Sequence, residues 1–224
     1  MLEAVIFDMD GVLIDSEPVH YESNKKIMQE FGYNLEYDYY KKFIGSTLTH
    51  MWEVIKKDYG IDNEVSELNH MSEQYSNNII KENGYIIVPG AVELVKMFND
   101  NGIKLAVASS SSAYLIDRAV SYLGIKECFD VLVSGENIAN PKPSPDIFLK
   151  AAEILGVDGS RCIVIEDSAN GVKAAKAAGI ACVGYINPNS GEQDLSKADY
   201  LVESFEGLEY SFFDMVCCHA AGEP

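Results

Sequence analysis

The chain has 224 residues, of which 47% are hydrophobic and 23% charged, and its formal net charge at pH 7 is −18. This composition is ordinary for a globular protein, and the length suffices for one large domain or for a domain with an insertion. The strong acidity argues against nucleic acid or an anionic membrane as a partner, because both attract basic surfaces. No run of about 18 apolar residues occurs, so we expect no membrane span.

The five cysteines have neither the spacing of a metal site nor that of a disulfide framework. Cys162 and Cys182 fall inside apolar segments that predict strands, so we expect both to be buried thiols. The first strand is predicted from residue 4, with no basic n-region and no cleavage pattern before it, so we expect no signal peptide. These features favour a reducing compartment, and we expect a cytoplasmic protein.

The first apolar segment, Ala4–Phe7, predicts a buried strand of a parallel sheet. Helical patterns without an intervening strand follow, over roughly 15–32, 36–43, 47–59 and 64–83. The sequence therefore predicts an all-helical unit over residues 15–85, inserted directly after the first strand.

From residue 86 onward, helices and strands alternate. Helices are predicted near 91–100, 112–123, 145–155 and 168–178, and strands near 104–108, 131–133, 162–165, 181–184 and 200–202. Such alternation predicts the α/β fold class: a Rossmann-like parallel sheet with helices on both faces, formed by residues 1–14 and 86–224. The segment after Gly207 is weakly patterned, and no structure is predicted for it.

Two carboxylates, Asp8 and Asp10, follow the first strand, and Gly11 comes next. Ligands of open α/β sheets bind at the carboxyl ends of the strands. Acids there suit a nucleophile and a proton-transfer partner arranged around a cation. A solvated acidic turn is the alternative, and this stretch alone leaves both interpretations open.

The predicted strand at 104–108 runs into four serines, of which Ser109 and Ser110 are the first two. Hydroxyls and backbone N–H groups at the start of a helix can bind a phosphate, although the run could be only a helix cap. Further on, Lys142 lies among three prolines, which restrict the backbone around it. An ammonium group held in this way suits charge stabilisation in phosphoryl transfer, whereas a lysine in an ordinary loop is solvated.

The apolar strand at 162–165 also ends in acids, Glu166 and Asp167. If this strand neighbours the first one, these carboxylates converge with Asp8 and Asp10 at one edge of the sheet. Four carboxylates would repel each other, and Mg²⁺ is the natural counterion for a site made of oxygen ligands. The sequence therefore predicts a magnesium site with Asp8, Asp10, Glu166 and Asp167.

The four stretches, in this order and spacing, resemble the haloacid dehalogenase superfamily over nearly the whole chain. Within it, residues 10–17 and 142–148 are similar to the β-phosphoglucomutase-like and sugar-phosphatase branch. The resemblance implies that Asp8 attacks phosphorus to form an aspartyl-phosphate and that Asp10 transfers protons. It also implies that Ser109 and Lys142 hold the phosphoryl group and that the helical insertion is the family's cap. Mg²⁺ would be held by Asp8, the Asp10 backbone carbonyl and Asp167, with Glu166 close by.

The residues of the cap indicate whether the enzyme hydrolyses or isomerises its substrate. In β-phosphoglucomutase a cap arginine binds the substrate's second phosphate, and Leu48 falls at that position here. Met71 falls near the place of the family's cap lysine. A substitute for these cations is left open among the lysines of the insertion, Lys25, Lys41, Lys42, Lys56 and Lys57. His20 matches a cap histidine near the general acid, and we count it among the substrate-binding candidates.

We therefore expect a monomeric Mg²⁺-dependent phosphatase of a small phosphomonoester, a sugar phosphate. β-Phosphoglucomutase is the alternative enzyme. A phospho-acceptor signalling module, in which Asp8 is phosphorylated to control a partner, is the non-enzymatic alternative.

Overall fold

The computed structural model describes residues 1–220, which divide into two compact units. One unit comprises residues 1–15, 87–188 and the described residues from 192 on; the other comprises residues 16–86 and 189–191. The sequence analysis assigned residues 189–191 to the first unit. The structure groups them with the helices instead, since the Cβ position at Gly191 lies 3.3 Å from Cβ of Ile44. No helix within the described residues has the length and apolar character needed to cross a bilayer.

The helical unit contains α1 (Glu17–Glu30), α2 (Tyr37–Tyr40), α3 (Leu48–Tyr59) and α4 (Val65–Asn83). A short 3-10 turn, Lys41–Phe43, follows α2, where the sequence predicted one continuous helix. Thr47 caps α3 by accepting a hydrogen bond from the backbone of His50. The apolar faces of these helices share one core around Trp52, which is fully buried.

The other unit is built on one six-stranded parallel sheet. Its strands are β1 (Ala4–Phe7), β2 (Lys104–Ser109), β3 (Val131–Ser134), β4 (Cys162–Glu166), β5 (Ala181–Tyr185) and β6 (Tyr200–Val202). The strand order is β3-β2-β1-β4-β5-β6, so β1 lies between β2 and β4. All residues of β1 and β4 are buried, which agrees with their apolar sequences. The predicted α/β fold class and parallel sheet are confirmed.

Within residues 1–220, five α-helices accompany the sheet: α5 (Ala91–Asp100), α6 (Ala113–Tyr122), α7 (Asp146–Leu155), α8 (Ala169–Ala177) and α9 (Tyr210–Ala220). The last of them falls in the segment for which no structure was predicted. Phe213 of α9 is buried and packs edge-on against Phe98, with the ring centroids 4.9 Å apart. Asp214 accepts a hydrogen bond from the backbone N–H of Leu2 at 2.8 Å. Helix α9 therefore contacts residues that are far from it in the sequence. The cysteines are all free thiols, and Cys162 and Cys182 are buried as expected.

Candidate active site

The strand order brings the predicted site residues to one edge of the sheet. Phe7 of β1 is in register with Val107 of β2 on one side and with Ile165 of β4 on the other. Asp8 continues this alignment, because its backbone N–H donates to the carbonyl of Ile165 at 3.0 Å. The condition set in the sequence analysis, that β4 neighbours β1, is thus met, and the side chains at the carboxyl ends of β1, β2 and β4 lie close together.

Lys142 connects two acids at the carboxyl ends of β1 and β4. Its Nζ atom lies 2.6 Å from Oδ1 of Asp8 and 2.8 Å from Oε1 of Glu166, and it donates to the carbonyl of Ala108 at 3.2 Å. The same ammonium group lies 4.8 Å from the centre of the Phe148 ring. The Lys142 side chain is only 7% exposed, so these contacts replace its hydration.

Burial and the charges of neighbouring groups both shift the pKa values of Asp8 and Lys142. Burial raises the pKa of the Asp8 carboxyl to about 7; the Lys142 ammonium opposes the rise, and the nearby Glu166 and Asp10 add to it. Burial alone would lower the pKa of Lys142, but Asp8 and Glu166 raise it above its usual range. Lys142 therefore stays charged, and its charge favours the ionised form of Asp8.

The loop that carries Lys142 is fastened by Asp146 at the start of α7. The carboxylate of Asp146 accepts hydrogen bonds from the Asn140 amide at 2.9 Å and from the Ser144 hydroxyl at 2.6 Å. Pro145 occupies the cap position of α7, and the hydroxyl of Ser144 donates to Asp146 rather than capping the helix itself. The loop is thus held by side-chain hydrogen bonds in addition to its prolines.

Asp10 faces the serines at the carboxyl end of β2. Its Oδ2 atom accepts a hydrogen bond from the hydroxyl of Ser111 at 2.8 Å, and the Ser109 hydroxyl lies 3.5 Å from the same oxygen. Ser109 is buried, whereas Ser110 is exposed. The structure thus brings Ser109 to the acids, and it brings Ser111 rather than Ser110.

Both carboxylate oxygens of Glu166 accept hydrogen bonds. Oε1 contacts Lys142, and Oε2 accepts hydrogen bonds from the backbone N–H of Ser168 at 2.7 Å and from its hydroxyl at 2.9 Å. The glycine at position 171 leaves the space that this carboxylate fills, because a Cβ there would overlap it. Glu166 is therefore placed to orient Lys142, and its predicted role as a metal ligand stays a prediction.

Asp167 lies over the backbone of Gly11, where a Cβ would overlap its carboxylate. Gly11 has a φ of 82°, a conformation that side chains disfavour, and its carbonyl accepts a hydrogen bond from the Asn187 amide at 2.9 Å. Asp8 and Asp167 are both buried at the ends of adjacent strands.

These oxygen donors fit a hard divalent cation. In the part of the chain that the structure describes, no group of three or more His, Cys, Asp or Glu side chains forms a metal cluster. Two buried carboxylates, Asp8 and Asp167, are available to a cation at this edge of the sheet. Mg²⁺ suits a site with so few protein ligands, since it commonly keeps several water molecules and binds substrate phosphates. The predicted ligand set stays a prediction.

One predicted residue belongs to the other unit. His20 is an exposed residue of α1 in the helical unit, and its role in substrate binding stays a prediction. Conversely, the sequence analysis missed Ser111, Ser168 and Asn187. The available signal for Ser111 was its position two residues after Ser109, and for Ser168 its position two residues after Glu166.

The chain is similar to known proteins over most of its length. The sequence model of the haloacid dehalogenase-like hydrolase family matches residues 5–185. The chloroplastic protein SUPPRESSOR OF QUENCHING 1 from Arabidopsis thaliana is 37% identical over 186 residues, which are 81% of this chain but only 18% of that protein. The phosphorylated carbohydrates phosphatase of Thermotoga maritima is 33% identical over 183 residues, covering 80% of this chain and 82% of the relative.

Solved structures show the same fold. The crystal structure of β-phosphoglucomutase from Clostridium difficile superimposes with a TM-score of 0.77 and 28% identity, covering 98% of each chain. Its fold and the family match agree with the acids, serine and lysine gathered at one edge of the sheet. The chain therefore belongs to the haloacid dehalogenase-like hydrolase family, in the branch that resembles β-phosphoglucomutase.

Proposed function

We propose that the protein is a Mg²⁺-dependent phosphatase that hydrolyses a small phosphomonoester, a sugar phosphate, through an aspartyl-phosphate on Asp8. The observation that carries this proposal is the contact of Lys142 with both Asp8 and Glu166, beside Ser109 and Asp10. The proposed nucleophile, ammonium group and hydroxyl are thus buried together, and the half-buried Asp10, the proposed second acid, lies beside them. The similarity to a phosphatase of phosphorylated carbohydrates supports the class of substrate.

In the first step, a carboxylate oxygen of Asp8 attacks phosphorus, and the bond from phosphorus to the ester oxygen breaks. Asp10 gives its proton to that leaving oxygen, so an alcohol departs. The Lys142 ammonium and the Ser109 hydroxyl bind oxygens of the transferred group and stabilise the charge that develops on them. Their burial strengthens these interactions, because water does not screen them.

In the second step, a water molecule attacks the phosphorus of the aspartyl-phosphate and gives a proton to Asp10. The bond between phosphorus and the Asp8 oxygen breaks, which releases inorganic phosphate and restores the carboxylate. Bound Mg²⁺, held by Asp8, the Asp10 carbonyl and Asp167, would offset the negative charge of the carboxylates and the phosphate. Glu166 keeps Lys142 in position during both steps.

Hydrolysis is favoured over isomerisation by two apolar residues of the helical unit. Leu48 and Met71 fall where β-phosphoglucomutase has cap cations, and both side chains pack against the apolar core of that unit. An isomerase must bind a bisphosphate in two orientations, which requires a cation at each end. β-Phosphoglucomutase activity remains the second candidate because of the structural likeness to that enzyme.

The proposal is tested with purified protein, Mg²⁺ and a panel of sugar phosphates. We expect release of inorganic phosphate, loss of this release in Asp8→Asn, and full activity in the control Asp100→Asn, which changes an exposed acid at the end of α5. Retention of activity in Asp8→Asn would contradict the aspartyl-phosphate mechanism. In parallel, β-glucose 1-phosphate is supplied with a trace of glucose 1,6-bisphosphate. Formation of glucose 6-phosphate without matching phosphate release would establish the mutase instead.

A further inference from the structure

We propose that Ser111 is a positioning residue that fixes the carboxylate of Asp10 for proton transfer. This inference rests on the proposed function, in which Asp10 acts as acid and then as base. The Ser111 hydroxyl donates to Oδ2 of Asp10 at 2.8 Å, while the Ser109 hydroxyl lies 3.5 Å from that oxygen. Ser111 is therefore the closer hydrogen-bond partner of Asp10.

The contact distinguishes the two oxygens of the carboxylate. The terminal torsion of an aspartate side chain has a broad energy profile, so an unsupported carboxylate samples many orientations. The Ser111 hydroxyl fixes Oδ2 toward the serine loop. Oδ1 makes no hydrogen bond within residues 1–220 and is left as the oxygen that exchanges a proton with the reacting groups. Proton transfer depends on such fixed geometry before it depends on acidity.

Ser111 is itself held firmly enough to position another residue. Its backbone N–H donates to the Ser109 hydroxyl at 3.1 Å, and its carbonyl accepts from the hydroxyl of Ser134 at 2.8 Å. Ser134 ends β3 and is in register with Ser109, the last residue of β2. The serine loop is thus fastened to two strands, and Ser111 combines a rigid backbone with a side chain aimed at Asp10.

The role differs from that proposed for Ser109. Ser109 would bind the phosphoryl group directly, whereas Ser111 contacts Asp10 and acts through it. Loss of the Ser111 hydroxyl should therefore lower kcat and leave KM nearly unchanged. We expect a decrease in kcat on the order of 10-fold, smaller than the decrease caused by removing the acid itself.

A matched pair of variants separates the effect of the hydroxyl from the effect of the side-chain shape. Threonine and valine have the same outline, so Ser111→Thr and Ser111→Val differ only in the group that donates to Asp10. With a phosphomonoester that the wild type hydrolyses, we expect kcat to be about 10-fold lower in Ser111→Val than in Ser111→Thr. Equal kcat values in two folded variants would overturn the inference.

A double-mutant cycle tests whether Ser111 acts through Asp10. Ser111→Ala is measured in the wild type and in Asp10→Asn, by single-turnover cleavage of a sugar phosphate that the wild type hydrolyses, because a sugar alkoxide must take up a proton as it leaves. We expect a clear loss in the wild type and almost none in Asp10→Asn. Equal losses in both backgrounds, or a rise in KM at constant kcat, would show instead that Ser111 binds substrate directly.

The adjacent serine provides the control. Ser112 caps α6 by accepting a hydrogen bond from Leu115, so Ser112→Ala loosens the same loop without touching Asp10. We expect its kcat to match the wild type; a loss as large as that of Ser111→Ala would assign the effect to loop rigidity and overturn the inference. A wild type without any phosphomonoester turnover would defeat the proposed function and this inference together. Turnover with additive losses would defeat the inference alone.

Discussion

Nζ of Lys142 lies 2.6 Å from Oδ1 of Asp8, although 134 positions separate the two residues in the sequence. The same nitrogen reaches Glu166 at 2.8 Å, so one ammonium group joins two carboxylates from neighbouring strands. All three side chains are at most 10% exposed. Because buried charges are costly unless they are paired, this contact is important both for the stability of the unit and for the proposed chemistry.

Replacing Lys142 by methionine should impair both properties. The change leaves Asp8 and Glu166 buried without their shared counter-charge, which lowers the free energy of unfolding by about 3 kcal/mol. It also removes the cation proposed to bind the phosphoryl group, and we expect kcat to fall by about 100-fold or more. Denaturant unfolding and phosphate release measure the two effects.

Lys150 provides the matched control for this prediction. It lies on α7 and forms an exposed ion pair with Glu153 at 2.8 Å. Such surface pairs contribute little, so Lys150→Met should change stability by less than about 1 kcal/mol and leave kcat unaltered. Wild-type kcat in Lys142→Met would show that its ammonium takes no part in the reaction.

A second prediction concerns the space that Gly171 leaves for Glu166. A Cβ at position 171 would overlap the Glu166 carboxylate, which is held by Lys142 and Ser168 and cannot withdraw without losing those contacts. Gly171→Ala should therefore destabilise the protein by about 1–3 kcal/mol and lower kcat, although alanine is the better helix former. Thermal unfolding and phosphate release measure this.

Gly159 allows a comparison with a less constrained glycine. The nearest atom to a Cβ there is Cγ1 of Ile180 at 3.3 Å, outside the candidate site. Gly159→Ala should retain its kcat. If Gly171→Ala were as active and as stable as Gly159→Ala, the position of Glu166 would have no functional importance.

The sequence predicted the sheet and most of the candidate site because the relevant signals are local. Apolar strands that end in Asp8 or Glu166 indicate both burial and the edge at which charges appear. The prolines beside Lys142 likewise indicate a restrained loop. The order of β1, β2 and β4, by contrast, was not predicted, and the pairing of β4 with β1 entered only as a condition, since pairing between distant strands leaves no local pattern.

The remaining features depend on tertiary contacts. Ser110 and Ser111 are chemically identical neighbours, and the direction of the backbone after β2 decides which of them faces Asp10. The helix α9 was missed because its apolar residues are almost continuous and show no clear helical period, while Phe213 is buried in the structure. Neither outcome follows from local propensity.

A third prediction concerns the dependence on Mg²⁺. If Asp167 is a ligand, Asp167→Asn should raise the Mg²⁺ concentration for half-maximal activity by about 10-fold or more, because an amide binds a hard cation more weakly than a carboxylate does. Removal of Mg²⁺ with a chelator should abolish activity reversibly. Asp117→Asn, which changes an exposed acid paired with Lys126, should leave the Mg²⁺ titration unchanged. Identical titrations for both variants would exclude Asp167 as a ligand.

A fourth prediction follows from the hydrogen bonds of Asp146. Those from Ser144 and Asn140 hold the pKa of the Asp146 carboxyl below its usual value. A lowered pKa in the folded state means that the ionised carboxylate stabilises the fold at neutral pH. This contribution is lost as the pH falls through the lowered pKa. Asp146→Asn should therefore be less stable than the wild type near pH 7, and the difference should diminish below about pH 4. A difference in stability that does not vary with pH would contradict this assignment.

The last prediction concerns the buried polar residues that connect three helices of the helical unit. The hydroxyl of Ser72 on α4 accepts a hydrogen bond from Nε1 of Trp52 on α3 at 2.9 Å and donates to Oδ1 of Asn24 on α1 at 2.7 Å. All three residues are buried. Ser72→Ala leaves the indole N–H and the amide oxygen without this partner inside the core, which should cost about 1–3 kcal/mol.

Ser66 provides a control on the same helix, because its side chain is exposed. Ser66→Ala should change stability by no more than about 0.5 kcal/mol. Denaturant unfolding followed by the fluorescence of Trp52, which is the only tryptophan of the chain, reports on this unit directly. Equal unfolding midpoints for the two variants would mean that water replaces the Ser72 hydroxyl without loss. A lower midpoint for Ser72→Ala alone would show that this hydrogen-bonded serine stabilises the packing of α1, α3 and α4.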